Sequence, residues 1–289
     1  IAVEKIGEVF LEKGKSSVFD FEEVYKVIQN IIHIEIINSK AAYINLSHSA
    51  IMLRMVKVPY MSNMDLEIYL KNEISRLLPT NTEHSEFDFK VLNEVEEDNK
   101  LLLNIVLISF PSSMKEKIEK IFQNAHLEIK VLDVYPNSLA RIFNSCIEDD
   151  IAVIDINGTT MDFLIVSQKK IFMYSNVLIE EFTREVDIYE YKECKEITED
   201  EVFYEPLEKI VEFTKSYLNY FATRHYGKTI DQVFLIGDIS YIKGIENYFN
   251  GNINIPVKTG FNFTIDNKTN KKCNINSYVT VLSLLLRGD

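Results

Sequence analysis

Tryptophan is absent from this 289-residue chain, and cysteine, proline and glycine are scarce, with 3, 6 and 9 copies. Cys146, Cys194 and Cys273 are odd in number, widely spaced and form no CxxC pair. Neither a disulfide framework nor a cysteine-held zinc site is suggested, and reduced thiols are expected. His33, His48, His84, His126 and His225 show no HExxH or other metal spacing, so no metal chemistry is assigned to them. Positive charge is also short: 31 Lys and Arg stand against 44 Asp and Glu, a net charge of −13. That balance leaves no basic face for a phosphodiester backbone and argues against a nucleic-acid protein. There is no apolar run of about 18 residues and no basic stretch leading into a short apolar one, so neither a transmembrane span nor a signal peptide is expected. The chain opens at Ile1 rather than Met, which points to an initiating segment ahead of it. A cytoplasmic protein is the expectation.

What is present is a core. Hydrophobic residues make up 46% of the sequence, enough for about two domains of an α/β class. "IAVEKIGEVFL" (1–11) predicts a strand. Asp20 and Glu23 form a capping box ahead of a helix in which Phe21, Val24, Val27, Ile28 and Ile31 recur at helical spacing. Residues 41–58 predict two strands closed by Pro59, and 63–78 an amphipathic helix. "HSEFDFKVLNEV" and "KLLLNIVLIS" predict a hairpin. Ser113 with Glu116 then predicts a capped helix to about 124, followed by a strand at "EIKVLDVY" and a short helix over 136–146. After Asp149 and Asp150 the pattern starts again. "IAVIDI", "MDFLIV" and "KIFMYSNVLI" predict a three-stranded meander, and 198 to about 227 is mainly helical. "QVFLIGD" predicts a strand, 240–250 a short helix, "IPVK" a strand and 277–287 a closing helix. Two halves that each run from strands into helices suggest an internally duplicated α/β architecture.

The stretch "DINGTTMD" (155–162) poses the functional question. Asn-Gly between two apolar runs is the strongest short-range hairpin signal, and Gly also lets backbone N–H groups approach an anion. Both readings stand on the residues alone. Glu212 and Lys215 lie three apart on a predicted helix, where a simple surface ion pair is the plain alternative to a ligand contact.

Several stretches recur in the order found in the actin-like ATPase superfamily, and the chain most resembles its PilM family of type IV pilus assembly proteins. They are the strand, acidic helix and acidic-aromatic strand across 54–92, "VLDVYPNSLARIF" (131–143), "DINGTTMDFLIV", "FLIGDISYIKGI" (234–245) and the closing "YVTVLSLLLRG" (278–288). The resemblance implies a two-lobe, ribonuclease H-like fold with an inserted small α+β subdomain. Its parts would be a first core subdomain at 1–60 lacking its N-terminal hairpin, the insertion at 61–132, a return at 133–150 and a second lobe at 151–289. Within the second lobe, the acidic stretch 187–205 would be a reduced insertion.

The resemblance also implies a site for ATP and Mg2+. Asp155 would position the metal through its water and so serve as the catalytic carboxylate. Asn157, Gly158, Thr159 and Thr160 would face phosphates, Glu212 the ribose and Lys215 the base or phosphates, and Gly237 and Asp238 would lie at the adenosine turn. Two positions depart from the family: Asn157 stands where Gly is usual, and Asp238 where a second Gly is usual.

The leading expectation, implied by the resemblance, is a cytoplasmic scaffold, without sustained turnover but open to a response to nucleotide, that receives the N-terminal peptide of the membrane-anchored protein PilN at the inner face of the membrane and links it to the assembly machinery. Val56, Pro59, Met61 to Leu70, Phe87, Leu103 and Ile105 are the candidate peptide contacts, each with core packing as the plain alternative. The runner-up is an active Mg-ATPase that drives conformational change or polymerisation. A membrane tether would need an amphipathic C-terminal helix with a basic face, and "VLSLLL" has none. A sugar kinase would need a catalytic Asp beside a sugar-binding set, which is not found.

Overall fold

The computed structural model describes residues 2–3, 21–35, 37–46, 51–78, 85–145, 147–157, 160–179, 204–225, 227–260, 266–267 and 279–284. They belong to two compact units, one of residues 1–134 with 265–271 and the other of residues 135–264 with 272–289. The capping Asp20, most of the strand expected over 1–11 and nearly all of the insertion expected at 187–205 lie outside the described residues.

In the first unit, β1 (Ala2–Val3) pairs in parallel with a short strand at Asp266–Asn267. Helix α1 (Phe21–Ile34) carries the predicted apolar stripe, and Lys117 Nζ sits 4.9 Å from the centre of the Phe21 ring. Strand β2 (Ala41–Leu46) pairs in parallel with Glu128–Val134. The rest is a three-stranded antiparallel sheet of β3 (Met52–Pro59), β4 (Ser85–Glu97) and β5 (Lys100–Pro111), with β5 in the centre. Met52–Pro59, ahead of the boundary expected at residue 60, is thus an edge strand of this sheet.

Helix α2 (Asn63–Leu77) begins where Ser62 Oγ accepts from the Asp65 backbone N–H at 3.2 Å. It buries Leu66 and Leu70 against Val58, Leu103 and Ile105. Leu70→Ala empties a fully buried site and is expected to cost about 2–5 kcal/mol, read from the denaturant midpoint. The β4–β5 turn at Asp98 and Asn99 has φ of 51° and 59°, the mirror-image turn that matches strand twist, reached by two residue types that tolerate it.

Helix α3 (Ser112–Asn124) corrects one expectation. Its N-cap is Pro111, with no side-chain cap bond, and Ser113 lies inside the first turn. Strand β5 runs straight into the helix, so Pro111, with φ −62°, makes the entry that a Ser113–Glu116 capping box would have made. β6 (Glu128–Val134) closes the unit.

The second unit is built on a five-stranded sheet. β7 (Ile151–Asn157), β8 (Thr160–Ser167) and β9 (Lys170–Leu178) form the predicted meander, and β10 (Gln232–Gly237) with β11 (Val257–Thr259) extends it in parallel on the other side of β7. The second short strand of the first unit, Asp266–Asn267, is β12. The helices here are α4 (Tyr135–Asn144), α5 (Tyr204–Arg224), α6 (Ile245–Asn252) and α7 (Val279–Leu284).

Ile154, Ile156, Phe163 and Leu235 share a core with Leu207, Ile210 and Phe221 of α5 and Phe249 of α6. Phe234 packs instead against Phe143 of α4, with ring centres 5.0 Å apart. Both faces of the sheet are covered, which is why "IAVI" in β7 and "FLIV" in β8 read as continuous apolar runs rather than alternating ones. Arg141 of α4 donates to the carbonyl of Ser283 in α7 at 3.2 Å. No helix among the described residues is long and apolar enough to cross a membrane.

Candidate functional site

Strands β7 and β10 end, and β8 begins, at one edge of the sheet, and three acids meet there. Pairing of β7 with β8 sets Asp155 opposite Asp162 and Asn157 opposite Thr160, while β10 places Gly237 beside Ile156. Asp238 follows at the start of a short 3-10 turn. Asp155 is 3% exposed, Asp162 2% and Asp238 9%. Like charges directly opposite in a sheet repel, and burial adds a desolvation cost to each.

The chain answers with local donors. Asp155 Oδ1 accepts from Asn157 Nδ2 at 2.7 Å, and Oδ2 accepts from the hydroxyl of Tyr135 at the start of α4. Asp162 Oδ1 accepts from the Tyr174 hydroxyl at 2.5 Å and from Asn176 Nδ2 at 2.8 Å, both on β9. Burial pushes the Asp155 carboxyl up to about 7; the Tyr135 and Asn157 donors oppose that rise, and Asp162 and Asp238 add to it. Tyr135 is likewise held well above its ordinary range, by burial first and then by Asp155 and Asp162.

Gly237 completes the arrangement. It has φ 74°, and a Cβ there would lie 2.1 Å from Asp155 Oδ1 and 2.4 Å from the Ile156 carbonyl oxygen. Only glycine allows β10 to lie this close to the buried carboxylate. Tyr135→Phe would leave Asp155 Oδ2 buried without its donor. The expected cost is about 1–3 kcal/mol, measured by urea unfolding at a pH where Asp155 is ionised.

The structure therefore brings together Asp155, Asn157, Gly237 and Asp238 from the expected site. Thr160 is at its rim, where its hydroxyl donates to the Asn157 carbonyl at 3.1 Å and braces the hairpin. Gly158 and Thr159 lie outside the described residues. Glu212 and Lys215 are exposed on α5, whose buried side packs on the sheet face that carries Ile154 and Ile156 rather than Asp155. No ion pair joins Glu212 to Lys215 among the described residues.

Tyr135, Asp162, Tyr174 and Asn176 are additions to the sequence-derived set. Asp162 was open to inference, because a two-residue loop at 158–159 fixes the pairing of 155 with 162. Tyr135 lies 20 residues upstream with no local signal.

A carboxylate that positions a metal-bound water needs an oxygen directed at the ligand. Asp155 turns each of its oxygens to a side-chain donor, Oδ1 to Asn157 and Oδ2 to Tyr135, an arrangement that does not fit a magnesium-linked phosphate.

A search of the solved structures gives a strong likeness to one described as a PilM-PilN type IV pilus biogenesis complex. The TM-score is 0.74 at 16% identity, covering 91% of this chain and 84% of that one. A Bacteroides thetaiotaomicron protein described as having an actin-like ATPase fold and unknown function matches at TM-score 0.48 and 12% identity, covering 98% and 87%. The cytoplasmic domain of Vibrio cholerae EpsL matches at 0.44 and 11%, covering 92% and 82%. No curated protein matches in sequence. The fold is an α/β fold shared with the PilM-PilN complex structure. The sequence profile of the family described as type IV pilus assembly protein PilM matches residues 1–287, and the chain belongs to that family. Its role is in type IV pilus assembly.

Proposed function

We propose that this protein is a cytoplasmic scaffold that takes the N-terminal peptide of PilN and holds it at the inner face of the membrane, without needing nucleotide to do so. The observation that carries the partner is the likeness to a PilM-PilN complex over 91% of the chain. The insertion at 61–132 contributes the receiving surface. Leu66, Leu70, Leu103 and Ile105 are core residues of the sheet and helix beneath it. Met64 and Ile68, one turn apart on the outer side of α2, and Tyr60 before it are exposed apolar residues suited to a peptide. The other boundaries, a return at 133–150 and a second lobe from 151, belong to the same reading.

Nucleotide independence rests on the Asp155 arrangement. The competing reading, a Mg-ATPase, keeps one feature in its favour, the close β7–β10 approach at Gly237.

The test is a titration of a synthetic PilN N-terminal peptide into the protein, with and without Mg·ATP. Equal affinity in both is expected, with a loss of about tenfold or more on Met64→Glu with Ile68→Glu. Absence of binding would overturn the partner, and binding only with Mg·ATP would overturn the nucleotide-independent scaffold.

A further inference from the structure

The three-stranded sheet of the first unit leaves one row of side chains uncovered. Residues two apart on a strand share a face, and Val58, Leu103 and Glu94 stand side by side on the face that α2 packs against. The next row on that face is Tyr60, Leu101 and Glu96. The Tyr60 backbone N–H donates to the Leu101 carbonyl at 3.1 Å, and Glu96 is the partner of Leu101 on β4. Helix α2 starts over the first row, where Leu66 shares a core with Val58 and Leu103. It ends near Arg54, which donates to the Leu77 carbonyl at 2.6 Å. The second row therefore lies beyond the start of the helix. Val58 and Leu103 are 1 and 4% exposed, whereas Tyr60 and Leu101 are 53 and 44% exposed, and Met64 in the first turn of α2 is exposed as well.

This apolar ledge has acid along one side and no base. Glu94 and Glu96 are exposed on β4, and neither has an ion-pair partner among the described residues. Lys57, Lys90 and Lys100 fall on the other parity of their strands and face the opposite side of the sheet, where Lys57 pairs with Glu97. Two carboxylates about 7 Å apart on one strand face repel each other weakly and attract a cation placed between them. Acids on an edge strand also guard it against pairing, a role that does not depend on what lies beside them. Here they wall an exposed apolar ledge, which selects for a basic group next to apolar ones. The same acids repel an anionic membrane surface.

We propose that Glu94 and Glu96 set the specificity of the peptide this unit receives, by taking a Lys or Arg side chain whose apolar neighbours sit on Tyr60, Leu101 and Met64. The inference rests on the reading that the PilN N-terminal peptide binds to the insertion. It adds the chemistry that the peptide must carry, a basic residue flanked by apolar ones. A guanidinium or ammonium shared by the two carboxylates removes their mutual repulsion as well as adding its own attraction.

The test is a titration of the synthetic PilN N-terminal peptide into the full chain at low and high salt. Wild-type affinity is expected to fall as salt rises. Glu94→Gln with Glu96→Gln is expected to weaken binding about fivefold or more at low salt and to flatten the salt dependence. Leu101→Ala is expected to weaken binding at both salts. Glu94→Lys with Glu96→Lys is expected to bind the natural peptide worse still, and to recover affinity for a peptide whose Lys and Arg are changed to Glu. That recovery also shows that the reversed variant is folded. A wild type that binds no PilN peptide would overturn both this inference and the partner it rests on. Binding by the wild type that the two Gln substitutions leave unchanged at low salt would overturn this inference alone, as would a PilN peptide that binds without any Lys or Arg.

Discussion

Replacing Asp155 with Asn is expected to raise stability above pH 7 by on the order of 4 kcal/mol and to leave it nearly unchanged near pH 4. The ordinary carboxyl value is 3.8, and in the folded chain burial and the neighbouring Asp162 and Asp238 move Asp155 to about 7, against the opposing donors Tyr135 and Asn157. Between those values the folded chain keeps a proton that the unfolded chain has released. Stability contributed by the protonated form is therefore full below pH 3.8 and is lost as pH rises through 7. Asparagine copies the neutral form, still accepts from Tyr135, and can face an Asn157 amide turned the other way.

Other acids shift the whole profile in both variants. At Asp150 burial pushes the carboxyl up, but Lys228 and the Gln168 backbone N–H outweigh it and hold it below its ordinary value, so its contribution is lost instead as pH falls. The reading is therefore the difference between wild type and Asp155→Asn across a pH series of urea midpoints. Parallel curves would show that Asp155 titrates normally and that the acids do not form the buried cluster described.

Gly237→Ala is the second large effect. Its Cβ would enter space held by Asp155 Oδ1, the Ile156 carbonyl and Asn157 Oδ1 at 2.1, 2.4 and 2.8 Å, at a backbone φ of 74°. Two of those atoms belong to a side chain fixed by two hydrogen bonds or to the backbone, so β10 must move away from β7. A loss of about 3 kcal/mol or more is expected, enough to reduce soluble yield. Gly251→Ala is the matched control, since its Cβ meets nothing within 4 Å and it sits in α6; there a gain of about 0.5–1 kcal/mol is expected. Equal behaviour of the two alanine variants in thermal melts would contradict the close approach of β10 to Asp155.

Much of this fold is legible in the sequence because its signals are local. The Asp98-Asn99 turn, the Ser62 cap ahead of α2 and the apolar runs of β7, β8 and β10 each announce themselves within a few residues. What lies beyond local pattern is the assignment of partners. Nothing in "MLRMVKVP" says that β3 pairs with β5 from 40 or more residues away rather than with β2. Part of the site is legible for the same reason. The hairpin at "DINGTTMD" carries Asp155, and its loop length fixes Asp162, whereas Tyr135 and Asn176 arrive through tertiary packing. Sequence pattern likewise does not reveal that Asn157, in the place of a family glycine, turns its amide back onto Asp155 rather than outward to a ligand.

The central claim is that Asp155 is closed off by Asn157 and Tyr135, leaving a protein that assembles pili as a scaffold rather than through a magnesium nucleotide at this hairpin. Equilibrium dialysis of Mg·ATP against the full chain, with Asp155→Ala beside it, tests this most directly. The account predicts no binding that depends on Asp155. Micromolar binding by the wild type that Asp155→Ala abolishes would contradict it and make the hairpin a working phosphate loop.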